Sequence, residues 1–316
     1  MFNNSAGGNS RRFLYMERIF SHGKLLISSE YLVLDGALAL ALPTKLGQEF
    51  FFEEKSDNQS IIEWESLCRG EKWFKSRIDY NKWEILETDD TQSAEFILEI
   101  LKEIQRVSKV KLQNSETYFL KTNLEFPRNF GLGSSSTLMN NLALWAEIDP
   151  FRLNEKMLGG SGYDIAVAKE ASALLYRKGL NNREIEKVDY SPMFKDELLF
   201  VHLNQKQNSR EGIRLYQSKN KSEELIKEFS DLTEKIFRCQ DLEDFSELMD
   251  FHEEKLSDFL GLETVKKTYF PDCPVFVKSL GAWGGDFVMT RKFQGYKNFF
   301  HGYGFHTFFD WNEIIK

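Results

Sequence analysis

The first ninety residues contain short apolar runs separated by turn residues, a pattern that is typical of β-strands. We predict strands in RIFSHGKLLIS and ALALALPTKLGQEFFFEE, joined by SSEYLVLDG, and further strands in SIIEWESL, KWFKSRI and KWEILET. In TQSAEFILEILKEIQRVS the apolar residues recur instead at helical spacing, which predicts an amphipathic helix with Thr91 as its cap. SETYFLKTNLEF then returns to the alternation of a strand.

The second half of the chain is predicted to contain more helices. Leu138, Leu142 and Trp145 have helical spacing after a glycine–serine stretch, and further helices are predicted in DPFRLNEKML, GGSGYDIAVAKEA, SREGIRLYQS, SEELIKEFSDLTEKIFRCQ and LEDFSELMDFHEEKLSDFLG. ELLFVHL is a predicted strand, and PVFVKSLGAWGGDFVMTRK is a predicted strand, glycine turn and strand. We place a flexible leader at 1–17, with Met16 as an alternative start, and a domain boundary between 18–195 and 196–316.

Composition narrows the class of protein. The 316 residues carry a net charge of −8 and no basic stripe, which argues against nucleic acid as a partner. The three cysteines, Cys68, Cys239 and Cys273, form no disulfide or metal pattern, and no run approaches the ~20 apolar residues of a membrane span. We therefore expect a cytoplasmic protein that binds neither nucleic acid nor a membrane, and we leave open whether it is a monomer or a homodimer.

Three glycine-rich turns, at 131–136, 159–162 and 281–285, stand at the ends of regular elements. A glycine turn followed by serines is an ordinary loop with a helix cap, but it also suits an anion, because backbone N–H groups and the helix N-terminus then face the ligand. None of the turns matches GxxxxGK[ST] or GxGxxG, and neither GxSxG nor HExxH is present. Serine hydrolases and zinc enzymes are therefore disfavoured.

Four segments, in order along residues 18–290, resemble the motifs of the GHMP kinase superfamily. PRNFGLGSSST resembles its central motif, GKLLISSEYLVLDG its first and KSLGAWGGDFV its third, while GSGYDIAVA is similar to the Ser-Gly-x-Asp turn of mevalonate and phosphomevalonate kinases. The resemblance implies an α+β fold of two domains, an N-terminal domain like the second domain of ribosomal protein S5 and a ferredoxin-like C-terminal domain. It also implies ATP and Mg²⁺ as cofactors.

The resemblance assigns the nucleotide phosphates to two glycine turns. Its central motif corresponds to a cradle of backbone amides formed by Gly131, Leu132, Gly133, Ser134, Ser135 and Ser136. Ser134 or Ser135 would lie near Mg²⁺, with Glu155 as a second metal ligand. The third motif would line the opposite side of the phosphates with Gly281, Ala282, Gly284 and Gly285. Glu155 is equally well explained as a solvated helix residue.

Two charged residues match catalytic positions in the motifs of the GHMP kinase superfamily. Asp164 would take the proton of the acceptor, and Lys24 would lower the pKa of the acceptor hydroxyl or steady Asp164. The alternatives are an acidic residue at a helix start and an ordinary lysine at a strand end. Ser161 and Gly162 are expected to orient the acceptor, and Glu30 to orient either the acceptor or the first loop.

Three departures from the family pattern surround the acceptor. Trp283 replaces a usual glycine, only about thirty residues separate the cradle from Asp164, and residues are missing just before Ser161. The Ser-Gly-x-Asp form and Asp286 favour mevalonate or phosphomevalonate as the acceptor of the phosphoryl group. The alternatives are a sensor that binds nucleotide and metabolite without turnover, a sugar kinase and a decarboxylase of the same superfamily.

Overall fold

The computed structural model describes residues 16–180, 182–204, 209–281 and 283–316. Most of the predicted leader and Ala282, one of the expected phosphate-binding residues, lie outside the described residues. The chain has two compact units: the first contains the residues up to Ser21 together with Gly47–Arg128 and Ser134–Gly159, and the second contains His22–Leu46, Asn129–Gly133 and Gly160–Lys316. The predicted domain boundary near residue 195 stays a prediction. Among the described helices, none has the length and apolar content of a membrane span.

Every strand that was predicted in the first unit is present. The strands are β1 (Glu17–Leu26), β2 (Ala39–Lys55), β3 (Ile61–Cys68), β4 (Glu71–Asp79), β5 (Glu84–Thr88) and β6 (Thr117–Leu124). Strands β1 and β2 continue into the second unit. The second half of β2 pairs antiparallel with β6, β6 pairs parallel with β3, and β3, β4 and β5 follow as antiparallel neighbours.

The described part of the first unit contains three α-helices: α1 (Thr91–Val107), α2 (Ser134–Trp145) and α3 (Pro150–Met157). The apolar face of α1 is buried as its periodicity predicts. Its cap, however, is Asp90 and not Thr91, because the Asp90 carboxylate accepts a hydrogen bond from the Ser93 N–H. The sequence DDT offers three capping residues in a row, and only the backbone direction selects one of them.

The second unit contains both sheet and helices. The first half of β2 pairs antiparallel with β7, and β7 pairs with β8. A separate sheet of four antiparallel strands has the order β10-β11-β9-β12. In chain order the elements are α4 (Tyr163–Glu170), β7 (Ala173–Lys178), β8 (Arg183–Val188), β9 (Leu198–His202), α5 (Ser209–Gln217), α6 (Glu223–Arg238), α7 (Leu242–Leu260), α8 (Val265–Tyr269), β10 (Val277–Leu280), β11 (Phe287–Arg291), α9 (Tyr296–Gly302), β12 (Phe308–Asp310) and α10 (Trp311–Ile314).

The predicted α+β class is confirmed, with a large mixed sheet, helices and a second small antiparallel sheet. Strands β7 and β8, the short strand β12 and the helices α8, α9 and α10 were not predicted. These elements are short, with three to seven residues each. Within the second unit, β9, β10 and β11 bury Val201, Val277 and Val288 in a core that also contains Phe270 and Phe300.

The cap of α1 gives a direct test. Asp90→Ala removes the acceptor of the Ser93 N–H and is expected to destabilise the protein by about 1 kcal/mol. Thr91→Ala, at the exposed residue first predicted as the cap, is the matched control and is expected to change stability by less than about 0.5 kcal/mol. Urea unfolding of both variants measures the difference. A larger loss in Thr91→Ala than in Asp90→Ala would contradict this assignment.

Candidate active site

The central glycine turn leads directly into a helix, as the sequence predicted. Gly131 and Gly133 have φ angles of +69° and +88°, and α2 begins at Ser134. In the first turn of α2, Ser134 is half-buried, Ser135 is exposed and Ser136 is buried. The turn therefore has the left-handed backbone that glycine adopts readily, and it precedes a helix N-terminus. The assignment of phosphate to this segment stays a prediction.

Lys24 on β1 fixes the position of the glycine turn within the second unit. Its N–H donates to the Leu132 carbonyl at 2.9 Å, and its Nζ donates to the Gly131 carbonyl at 2.9 Å. From the other side, the Phe130 ring packs against His202 of β9 and Phe287 of β11, with ring centroids 4.4 and 5.5 Å apart. The turn is thus held by both backbone and side-chain contacts.

The Lys24 ammonium group faces three ionisable side chains: Tyr163, Asp164 and Asp286. Burial lowers the pKa of Lys24, but the electrostatic effect of Tyr163, Asp286 and Asp164 outweighs it, so that the pKa is raised. Its Nζ lies 5.7 Å from the centre of the Tyr163 ring. Lys24 therefore stays charged, and the structure brings it together with Asp164 as the sequence predicted.

Asp164 lies in the first turn of α4, directly after a second glycine turn. Gly162 precedes the helix with a φ of +88°, and Ser161 is buried, its carbonyl accepting a hydrogen bond from the Tyr176 hydroxyl at 2.5 Å. Burial raises the pKa of Asp164, and the Lys24 charge opposes that rise. A carboxylate whose pKa is raised in this way is a better proton acceptor than one in free solution.

Asp286, at the end of the third glycine turn, has a φ of +58° and is buried. Its carboxylate lies against two glycines: a Cβ added to Gly131 would lie 2.1 Å from Asp286 Cγ, and one added to Gly281 would lie 3.3 Å from Oδ2. The absence of a side chain at Gly131 therefore makes room for Asp286. The sequence pointed to Asp286 beside the glycine run, but not to its contact with a turn 155 residues earlier.

A cavity of about 470 Å³ lies in the second unit beside the third glycine turn. Its lining includes Tyr31, Trp283, Gly284, Glu211 and Glu263. The Tyr31 hydroxyl accepts a hydrogen bond from the Trp283 N–H at 2.9 Å, and electrostatic effects of Asp286 and Tyr163 help to raise the pKa of Tyr31, although burial contributes most. Trp283, the departure from the family pattern, therefore forms part of the cavity wall.

Glu30 is 2% exposed, and its carboxyl group faces other side chains of the second unit. Its Oε1 accepts a hydrogen bond from Lys278 Nζ at 2.6 Å, and its Oε2 lies 3.4 Å from His252 Nε2. Glu253 also approaches Lys278, with 3.4 Å between Oε2 and Nζ. The sequence does not reveal this buried cluster, because HEE on α7 suggests only an incomplete metal motif. The expected contact between Glu30 and an acceptor stays a prediction.

The remaining predicted residues are placed as follows. Gly284 donates its N–H to Ser279 Oγ at 3.4 Å, and Gly285 is buried beside it. Glu155 is exposed on α3 of the first unit. Among the described residues, no three His, Cys, Asp or Glu side chains lie close enough together to hold a metal. Magnesium commonly needs only one or two carboxylates in addition to phosphates, so the carboxylates that face Lys24 suit it chemically.

Solved structures with similar folds include three kinases. The phosphomevalonate kinase of Streptococcus pneumoniae, in complex with phosphomevalonate and AMPPNP, is 18% identical, with a TM-score of 0.67 over 93% of this chain and 100% of that chain. The mevalonate kinase of Methanococcus jannaschii is 14% identical, with a TM-score of 0.64 over 93% and 97%. The galactokinase of Lactococcus lactis, complexed with galactose, is 13% identical, with a TM-score of 0.64 over 94% and 93%.

No protein-family model matches the chain, and no curated protein matches it either. These three structural matches nevertheless extend over almost the whole chain. The chain therefore has the fold of the GHMP kinases, and the resemblance seen in its motifs is confirmed at the level of the fold.

The contact between Gly131 and Asp286 can be tested by comparing two glycines. Gly131→Ala and Gly159→Ala both place an L residue at a φ near +70°, which costs about 1–2 kcal/mol. Only at Gly131 would the new Cβ collide with a neighbour, the Asp286 carboxylate; nothing lies within 4 Å at Gly159. We expect Gly131→Ala to reduce the free energy of unfolding in urea by at least about 1 kcal/mol more than Gly159→Ala.

The double variant Gly131→Ala/Asp286→Ala completes the comparison. Removal of the carboxylate should relieve the collision, so the alanine at 131 should be less destabilising in the Asp286→Ala protein than in the wild type. Equal losses in the two backgrounds would mean that the two residues do not restrict each other.

Proposed function

We propose that the protein is a kinase of small molecules that transfers the γ-phosphoryl group of ATP to a hydroxyl or phosphate acceptor in the presence of Mg²⁺. The proposal rests on one observation: Lys24 lies close to both Asp164 and the glycine turn at Gly131. Lys24 bonds the turn directly and faces Asp164. Phosphoryl transfer requires mainly alignment and charge neutralisation, and these are the groups that such a reaction uses.

Asp164 is the proposed proton acceptor. Its raised pKa, which results from burial, favours removal of a proton from an acceptor hydroxyl. Lys24 stabilises the ionised form of Asp164 and the negative charge that develops on the acceptor oxygen. For a phosphate acceptor, no hydroxyl proton has to be removed, and Lys24 then serves mainly to neutralise charge.

The nucleotide phosphates are proposed to bind the segment from Gly131 to Ser136. This segment combines a left-handed glycine turn with the N-terminus of α2, a helix of 12 residues, and both features present backbone N–H groups to an anion. Gly281, Gly284 and Gly285 are proposed to line the phosphates as well. The streptococcal phosphomevalonate kinase was solved in complex with AMPPNP, which supports a nucleoside triphosphate as the donor.

Magnesium ions, when bound, would neutralise the phosphate oxygens and lower the charge barrier to attack. Ser134, Ser135 and Glu155 remain the proposed protein ligands. The Asp286 carboxylate lies against Gly131 and faces Lys24, so it borders the proposed phosphate segment. Hydroxyl and carboxylate oxygens are ligands that suit this ion.

The acceptor is proposed to be mevalonate or phosphomevalonate and to bind in the cavity beside Tyr31 and Trp283. Two of the structurally similar proteins are named as kinases of these compounds. A sugar kinase is the second candidate, because the galactokinase matches the chain with a TM-score of the same size. A sensor without turnover is the third candidate, and Trp283 in the third glycine turn is the feature that favours it.

An assay of ADP release with a panel of acceptors tests the reaction. We expect mevalonate or phosphomevalonate to be phosphorylated well ahead of galactose and homoserine, with the product identified by mass spectrometry. Phosphorylation of a sugar alone would refute mevalonate and phosphomevalonate as the acceptors, but it would still show that the protein is a kinase. Binding of ATP in calorimetry without product from any acceptor would favour the sensor.

The variant Asp164→Asn tests whether Asp164 takes the proton of the acceptor hydroxyl. The amide keeps the shape of the side chain but cannot take a proton, so we expect kcat with a hydroxyl acceptor to fall by roughly 10²–10⁴ and ATP affinity to change little. Asp258→Asn on α7, an exposed acid, is the matched control and should leave kcat unchanged. A parallel loss of Mg²⁺-dependent ATP affinity would make Asp164 a metal ligand instead, and near-normal turnover would remove it from the mechanism.

A further inference from the structure

The segment 28–36, between β1 and β2, has an unusual backbone conformation. Ser29 and Tyr31 have φ angles of +62° and +63°, and neither residue is glycine. Each such residue is strained by on the order of 1 kcal/mol and persists only where its surroundings hold it. The segment also supplies Tyr31 to the cavity wall, where it bonds the third glycine turn through the Trp283 N–H.

Two helices hold the start of this segment. The Ser29 N–H donates to His252 Nε2 of α7 at 2.9 Å, and Ser29 Oγ lies 3.1 Å from Thr233 Oγ1 of α6. Ser28 Oγ lies 2.8 Å from the same threonine hydroxyl. Ser29, His252 and Thr233 are inaccessible to solvent, so water cannot replace these bonds.

Lys278 on β10 connects the segment to a third element. It is inaccessible to solvent, and its Nζ donates to Glu30 Oε1 at 2.6 Å and to the Ser279 carbonyl at 2.5 Å, with Glu253 Oε2 at 3.4 Å. A single ammonium group thus lies between two buried carboxyl groups. If both were ionised, the cluster would hold an uncompensated negative charge, which is costly in a buried environment.

The contact with His252 indicates which carboxyl group holds a proton. Because His252 Nε2 accepts the Ser29 N–H, it has no hydrogen of its own. Glu30 Oε2 lies 3.4 Å from this nitrogen and has no hydrogen-bond partner among the described residues. The single lone pair of Nε2 is occupied by the Ser29 N–H, and Nε2 has no hydrogen to donate, so an ionised Oε2 would be left without a donor in a space that water does not reach. This favours a proton on Glu30.

We propose that Lys278 and His252 are positioning residues that hold the segment 28–36 through Glu30 and Ser29, with Glu30 neutral. They act on the acceptor cavity through Tyr31 and Trp283 and do not themselves touch the acceptor. This inference rests on the proposed function only for its effect on acceptor binding. In this arrangement Glu30 affects the acceptor through the segment 28–36 and does not contact it directly.

The charged and titratable groups around Glu30 agree with this arrangement. They are Lys278 on β10, His252 and Glu253 on α7, Tyr31 on the same segment and, within electrostatic range, Tyr163 on α4. Burial raises the pKa of Glu30 to about 7, although Lys278 opposes the rise. Burial and the Lys278 charge lower the pKa of His252, which keeps its imidazole neutral.

The stability of the protein tests the proton without any assay of activity. Since the pKa of Glu30 is higher in the folded state than in the unfolded chain, the folded state binds the extra proton between pH 4.5 and 7. Its contribution to stability is therefore largest below pH 4.5, falls as the pH rises to 7 and is constant above. Over this range we expect the unfolding equilibrium constant in urea to rise by a factor on the order of 10² because of Glu30 alone.

Glu30→Gln should remove this part of the pH dependence, because its amide oxygen can accept from Lys278 as the Glu30 carboxyl does and the amide does not titrate. Glu254→Gln, at the exposed neighbour of Glu253, is the matched control and should keep the wild-type profile. If Glu30→Gln and Glu254→Gln give the same profile as the wild type, Glu30 is not protonated and the proposal fails. This result does not depend on whether the protein is a kinase.

Acceptor kinetics test the positioning role. His252→Phe keeps a ring against Phe229 but removes the acceptor of the Ser29 N–H, whereas His252→Gln retains an amide oxygen that can accept it. We expect His252→Phe to raise the acceptor KM about tenfold, with the KM for ATP unchanged, and His252→Gln to recover most of the loss. Equal changes in both KM values, or no recovery in His252→Gln, would overturn the positioning role.

One measurement guards against a variant that fails to fold. If circular dichroism shows that His252→Phe is unfolded, the pH dependence of the wild-type acceptor KM between pH 6 and 8 tests the positioning role instead. It should rise as Glu30 loses its proton near pH 7, and Glu30→Gln should abolish that rise. An acceptor KM that changes equally in wild type and Glu30→Gln would overturn the proposal. Absence of turnover with every acceptor would instead refute the proposed function. The pH dependence of urea unfolding would still test whether Glu30 is neutral.

Discussion

The arrangement of the candidate site depends on one partly buried positive charge, the ammonium group of Lys24. It bonds the carbonyl of Gly131 and faces Tyr163, Asp164 and Asp286, which come from two other glycine turns. Burial disfavours the charged form of Asp164, and the Lys24 cation offsets part of that cost. A single charge on a rigid strand thus brings together segments that are more than a hundred residues apart in sequence.

The glycines of these turns have two different physical roles. The positive φ at Gly133 and Gly162 lets the backbone turn sharply into a helix, which is the role that a sequence motif suggests. Gly131 has the same backbone property, but it is also in contact with the Asp286 carboxylate. A glycine can therefore be required both for an incoming phosphate and for a carboxylate of the same chain, and only the contact distances distinguish the second role.

A second positive charge, Lys278, is buried on β10 and contacts Glu30, whose neighbour Tyr31 lines the cavity. The two clusters differ in character: Lys24 is partly accessible and faces the residues proposed for catalysis, whereas Lys278 is sealed among Glu30, His252 and Glu253. Because Tyr31 follows Glu30 directly and bonds Trp283, the sealed cluster and the cavity wall share one short segment. The geometry of the proposed acceptor site is thereby tied to a network that a ligand cannot reach.

The sequence by itself determined the α+β class, the longer helices and strands and the three glycine turns, because periodicity and turn residues are local properties of the chain. It did not determine the cap of α1, where adjacent polar residues compete, or the short elements β7, β8 and α8. The tertiary structure alone decided the contact of Asp286 with Gly131 and the burial of Glu30 beside Lys278. Both contacts join residues that are distant in sequence. The effect of a charged side chain in them depends on its burial, which the sequence does not show.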